Sequence, residues 1–157
     1  MTIAVPLTHV LLAMIAAFFL PKGVKNATLE WEGYTQNVTR IELKDAVCVD
    51  LEHEGKATHY TFQGSKVSLW EMTDGMRGSK EKATGEYNLK EDFGIADPAA
   101  LTGDDVVLTS KEKKDKSVMM HLEKTEHSIK VTEKEGDSPA VFGYTDKKFP
   151  EAKFQWK

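Results

Sequence analysis

Thr58-His59-Tyr60-Thr61-Phe62-Gln63-Gly64-Ser65-Lys66-Val67-Ser68-Leu69-Trp70-Glu71 is two short alternating runs separated by turn residues. Tyr60 and Phe62 stand two apart, so on an extended backbone their rings share one face of a sheet. Gln63-Gly64-Ser65 supplies the tight connection of a hairpin. The same grammar extends in both directions. Upstream, residues 27–31, 38–43 and 46–51 have strand length and strand composition; downstream, 105–109, 117–122, 128–132, 140–144 and 152–156 repeat it. Residues 111–116, Lys-Glu-Lys-Lys-Asp-Lys, separate two of these runs as a mixed-charge tip that belongs in solvent. After residue 25 no segment keeps an apolar period of 3.6 over three turns. The reading is an all-β chain of about ten short strands, a Greek-key β-sandwich or barrel-like domain over residues 24–157.

Residues 1–23 are of another kind. Val10-Leu11-Leu12-Ala13-Met14-Ile15-Ala16-Ala17-Phe18-Phe19-Leu20 is a continuous apolar run broken by Pro21-Lys22-Gly23. Its length suits a secretory signal helix; the competing readings are an uncleaved anchor, the more serious rival, and a buried core helix. A spanning helix needs about 20 apolar residues, and Pro6, Thr8 and His9 shorten this run to about 11. Against a signal, no Lys or Arg precedes the run, and no clear small-x-small cleavage site lies between Ala17 and Ala27. Without the leader roughly 130 residues remain, enough for one domain with its own core. Cys48 is the single cysteine, so the domain does without an internal disulfide even in a compartment that permits one. The 21 basic and 25 acidic side chains give a formal charge of −4, which speaks against nucleic acid and against attraction to an anionic membrane. Asn26-Ala27-Thr28 and Asn37-Val38-Thr39 are glycosylation acceptor sequons, consistent with export. The expected setting is secreted and extracellular, the expected state a monomer with no stable membrane insertion once the signal is cleaved.

Residues 41–101 carry an order of pieces beyond periodicity: Val67-Ser68-Leu69-Trp70-Glu71, Asp74-Gly75-Met76-Arg77-Gly78, Gly85-Glu86-Tyr87-Asn88-Leu89 and Phe93-Gly94-Ile95-Ala96-Asp97. This order resembles the double Greek-key motif of the βγ-crystallin family, in particular its secreted microbial members. The resemblance implies that Trp70 is a ring covered by a folded-back hairpin, with Gly78 and Gly85 at its close approaches. It also implies where calcium would bind. The corresponding stretches, Glu54-Gly55-Lys56-Ala57-Thr58-His59 and Ala96-Asp97-Pro98-Ala99-Ala100-Leu101, retain Glu54, Thr58 and Asp97 as ligands but lose most of the hydroxyls. Calcium takes six to eight oxygens, so this set is depleted, and Lys56 adds a competing charge. Asp104 and Asp105 offer a shifted second site, with Leu108 where a hydroxyl is required.

Catalytic chemistry finds no foothold. His53 and His59, like His121 and His127, are six apart, about 20 Å along one strand, too far to share a zinc ion unless a hairpin folds them together. There is no Gly-x-Ser-x-Gly elbow, Cys-x-x-Cys, His-Glu-x-x-His or phosphate-cradling glycine loop. Large rings remain: Trp31 and Tyr34 flank Glu32-Gly33, and Tyr144, Phe149, Phe154 and Trp156 crowd the C-terminal part. Rings of this kind anchor protein or carbohydrate ligands, or simply fill a core. The resulting expectation is a secreted, non-enzymatic binding protein, effector-like or toxin-like, without a cofactor. The alternatives are a calcium-stabilised structural or stress protein, a single-pass accessory subunit of a membrane assembly, and a secreted hydrolase.

Overall fold

A computed structural model describes residues 7–73, 85–95, 98, 101, 103–110, 115–142 and 148–157. Alternation does what the sequence promised. β1 (Asn26–Trp31) buries Ala27, Leu29 and Trp31 and exposes the residues between them. Eight further strands repeat the pattern: β2 (Tyr34–Glu42), β3 (Val47–His53), β4 (Lys56–Gln63), β5 (Lys66–Thr73), β6 (Gly85–Asn88), β7 (Asp105–Ser110), β8 (Lys116–Lys124) and β9 (Ser128–Gly136). β10 (Ala152–Gln155) completes the set.

All ten belong to one antiparallel sheet in the order β6-β5-β4-β3-β2-β1-β10-β9-β8-β7. Each strand lies beside its sequence neighbour except at β6 and β7, and β1 joins β10 across the chain. The sequence pointed to an all-β Greek-key sandwich or barrel-like domain; the chain is all-β in its bulk, and its described strands form one sheet of two meanders, β1 to β6 and β7 to β10, joined where β1 pairs with β10. The reason lies in the connections. Short turns such as Glu32-Gly33, Glu54-Gly55 and Gly64-Ser65, several with positive φ, return each strand directly alongside the one before.

Two segments read as strand are helical. The 140–144 run falls on α3 (Ser138–Phe142), where Pro139 sits in the first turn, a position that suits its fixed φ. Leu89, placed at the end of a Gly-x-Tyr-x-Leu strand, opens α2 (Leu89–Phe93). Asn88 caps that helix by accepting from the amides of Lys90 and Glu91, each at 3.0 Å, while Asp92 accepts from the Asn88 amide at 2.8 Å. Gly94 ends it at φ 76°, a left-handed conformation that glycine adopts without a Cβ penalty.

Because α2 packs on both β6 and β7, the two edges of the sheet lie on either side of one helical turn, and the sheet curls back on itself. A single apolar cluster fills the inside of the curl. At its centre lies α1 (Leu7–Phe19). Every residue from Val10 to Ala17 is at most 4% exposed, which no one-sided helix achieves. Its surroundings are the strands: α1 packs on β2, β3 and β4, His9 meets Trp31 of β1 edge to face at 5.0 Å, Phe18 meets Phe62 of β4 at 5.6 Å, and Lys124 of β8 lies 5.0 Å from the Phe19 ring centre. No helix among the described residues is long and apolar enough to cross a membrane.

The interior is imperfectly suited to its occupant. Thr8 Oγ1 and His9 Nε2 are buried with no hydrogen-bond partner among the described residues. Each such atom costs about 1–3 kcal/mol relative to a satisfied one. Burial also lowers the His9 pKa from the ordinary 6.5, since the cation is harder to desolvate than the neutral ring. A base whose folded pKa is depressed keeps its full stability above the unfolded value and loses it as pH falls below. In the uncleaved chain, thermal melts should therefore show stability falling as pH drops below 6.5. His9→Leu should remove that component and add about 1–2 kcal/mol at neutral pH. An unchanged pH profile in the variant would place the ring in water.

Candidate functional site

The interior end near the exit of α1 holds the one charged group in the apolar core among the described residues. In β2, Val38 and Arg40 face inward, while Ile41 and Leu43 stand 44% and 56% exposed. Arg40 is 4% exposed. Its neighbours across the sheet are apolar or phenolic: Arg40 pairs with Val49, Val49 with Tyr60, and Tyr60 with Leu69. Burial raises the Tyr60 phenol pKa, with Tyr87 and Glu71 adding to the effect. The Arg40 guanidinium is directed at the C-terminal end of α1, where one Nη donates to the carbonyls of Ala17 (3.3 Å) and Leu20 (2.8 Å) and the other to that of Pro21 (2.6 Å). Glu42 lies 3.3 Å from the same group but is half exposed. Burial pulls the Arg40 pKa down, and the Glu42 charge opposes it.

The last carbonyls of a helix are unpaired acceptors and carry the negative end of its dipole, worth about half a charge. Arg40 satisfies them. Outside this contact a cleft of 530 Å³ opens between Lys22, Gly23, Val24, Lys25, Arg40, Ile41 and Glu42. Its charged lining is three cations to one carboxylate. The other end of the interior is stoppered: Trp31 stacks on Phe149 at 6.0 Å, Phe149 contacts Phe142 of α3 at 5.6 Å, and the Trp31 indole donates to the Pro150 carbonyl at 3.1 Å. Among the described residues the interior is thus an apolar core with α1 at its centre, an aromatic cluster at one end and the basic Arg40 contact at the other.

A second cluster lies on the outer face. Asp50 is hydrogen-bonded to His59 Nδ1, His59 Nε2 lies 3.2 Å from Thr61 Oγ1, and Thr61 Oγ1 lies 3.7 Å from Cys48 Sγ. The order carboxylate, imidazole, hydroxyl resembles a nucleophile relay. Relay chemistry also needs free donors for a developing oxyanion. Here β3 and β4 are each paired on both sides, so the surrounding backbone amides are spent in the ladders. The cluster is a cross-strand polar ladder, with the Trp70 ring tilted 5.5 Å from His59.

The residues singled out in the sequence fall as follows. Glu54 sits at the tip of the β3–β4 turn with φ 50° and Thr58 in the middle of β4; Asp97, the third member of the implied calcium set, lies outside the described residues. Among the described residues no group of three metal-ligating side chains converges. Asp104 lies 3.7 Å from Lys124, and Asp105 is hydrogen-bonded to His121 at 2.8 Å with Lys134 at 3.8 Å, so each carboxylate has a side-chain partner within the protein. The His121 hydrogen bond, with Lys134 behind it, holds the Asp105 pKa below its ordinary value. His53 bonds the Thr35 carbonyl at 2.9 Å and packs on Tyr34, so it is not brought to His59; His127 pairs loosely with Glu126.

The ring clusters divide. Trp31, Phe149 and Phe154 are core; Trp156 is half-buried, and Tyr144 lies outside the described residues. Of the glycines tied to the crystallin resemblance, Gly85 lies in β6 opposite Leu69, and Gly78 is outside the described residues; Trp70 is half-buried on the outer face. Asn26 and Asn37 are both exposed, and their sequons face each other across one hairpin: Asn26 pairs with Thr39, Ala27 with Val38, and Thr28 with Asn37. A cleft of 890 Å³ runs beside them, lined in part by Gln155 and Trp156. No family model matches the chain, and no curated protein or solved structure matches it.

Proposed function

We propose that this is an exported, non-enzymatic binding protein that carries an apolar small molecule in the chamber enclosed by its sheet. In this reading α1 is a leader that occupies the chamber until processing takes it away. The observation that carries the proposal is the all-round burial of α1 inside the curl. A sheet that surrounds a helix must be hollow to the width of one, about 10 Å across, and α1 is about 20 Å long. That corresponds to roughly 1,500 Å³, ample for a small-molecule ligand. The unpartnered Thr8 and His9 atoms support the reading, because a permanent core element would be expected to satisfy them. The outer face offers less, since most of its large rings turn inward.

The test is production from the full coding sequence in a secreting cell. The protein in the medium should lack α1 by intact mass, and should take up the neutral probe N-phenyl-1-naphthylamine with a rise in fluorescence. The uncleaved chain, made without export, should not. Medium protein that keeps α1 would end the proposal and leave α1 as a permanent core helix, and processed protein that ignores the probe would end it by showing no chamber.

A further inference from the structure

Resting on the chamber reading, we infer that Arg40 is the anchor for the head of an anionic amphiphile, so that the ligand is a single aliphatic chain ending in a carboxylate or phosphate. The occupant present in the structure is the argument. α1 is an apolar rod with Thr8 and His9 near its N-terminal end and, at its C-terminal end, a cluster of carbonyl oxygens that rests on Arg40. An amphiphile has the same design at smaller diameter: an apolar body and an oxygen-rich, negative end. With residues 1–23 gone, the three acceptors that satisfy the guanidinium leave as well, and half-exposed Glu42 stays beside it. A buried guanidinium without acceptors is costly, and a carboxylate or phosphate fits its planar fork with two parallel hydrogen bonds.

The rest of the mouth agrees with that polarity. Lys25 lines the 530 Å³ cleft beside Arg40 and stays when residues 1–23 leave, so an anion approaching from solvent meets positive charge before it reaches the interior. Lys25 also holds the strand in place, its carbonyl accepting from the Arg40 amide at 2.8 Å. Exposed Ile41 and Leu43 stand at the same end and offer an apolar tail a first contact. Inside, Val49, Leu51, Phe62 and Leu69 carry no charge, so the head has one place to rest.

The experiment titrates the processed protein from the medium with dodecanoate, dodecyl phosphate and dodecanol by calorimetry. The two anions should bind at least tenfold more tightly than the alcohol. Arg40→Gln should lower the affinity for the anions at least tenfold while leaving dodecanol within threefold, and Arg40→Lys should keep part of the preference. Whichever anion binds more tightly identifies the head as carboxylate or phosphate; either order upholds the anchor. Equal affinity for all three in the native protein, or an equal loss for all three in Arg40→Gln, overturns it. The native comparison stands even where the glutamine variant does not fold. No uptake of any of the three sinks the chamber reading and the anchor together, a result distinct from equal uptake.

Discussion

Gly136→Ala is expected to destabilise the protein by about 3 kcal/mol or more, a large share of the 5–15 kcal/mol typical of a domain. Gly136 has φ +125°, a region that side chains rarely enter, and a Cβ there would lie 2.4 Å from the Ser117 carbonyl oxygen and 2.5 Å from the Val118 Cα. Those atoms are backbone and cannot rotate away. The position is also fixed by register. β9 carries one extra residue where Met119 pairs with Glu135 but Met120 pairs with Glu133, and the strand then turns into α3 with the Asp137 amide on the Ser117 carbonyl at 2.6 Å. Gly64→Ala is the control. Its φ of +60° is left-handed too, but open space surrounds it, so its cost should stay near 1 kcal/mol. Urea denaturation of both variants measures the difference, and similar losses would mean that the close approach at Gly136 is relieved elsewhere.

Phe62→Ala is expected to cost about 3–5 kcal/mol in the uncleaved chain. Phe62 is 1% exposed, its ring lies 5.6 Å from Phe18 at an interplanar angle of 79°, and Tyr60 stacks beside it at 6.3 Å. Edge-to-face pairs of this kind add about 0.5–1.5 kcal/mol beyond burial, which a double-mutant cycle with Phe18→Ala isolates. Under the chamber proposal, the same substitution in processed protein should cost markedly less, because Phe62 would border a chamber and no longer pack on a helix. A coupling of zero between Phe18 and Phe62 in the uncleaved chain would place α1 outside the sheet.

The periodicity of two made the strands legible because local alternation records which face is buried, and β1, β3, β5, β8 and β10 lie where that pattern put them. It could not say how the strands are ordered, since ladders such as β1 with β10 join residues more than a hundred positions apart. The 140–144 run failed for a different reason. Five residues are too few to distinguish a buried turn of helix from a strand, and the Ser138-Pro139 start that favours the helix was outweighed by Val141 and Phe142.

Arg40 was hidden by a conflict of parity. Ile41 and Leu43 are the apolar residues of their run and suggest themselves as the inward set, whereas Val38 fixes the opposite phase and brings Arg40 inside with it. Carrying the phase forward from Val38 was the signal that would have found it. The position of α1 was beyond any such reading. An apolar helix looks the same to sequence patterning whether it is discarded, inserted in a bilayer or enclosed by protein.

The ladder between β1 and β10 has a further consequence during synthesis. β10 occupies the middle of the sheet, hydrogen-bonded to β1 on one side and β9 on the other, so a nascent chain can pair β1 through β6 and later β7 through β9 only as two separate leaves. Until Ala152–Gln155 emerges from the ribosome, those leaves lack the strand that joins them edge to edge, and only packing such as that of α2 on β6 and β7 can hold them together. A stop codon just before Ala152 would therefore remove the ladder that makes them one sheet. The sheet is finished only as the last strand arrives, so its closure belongs to the end of translation.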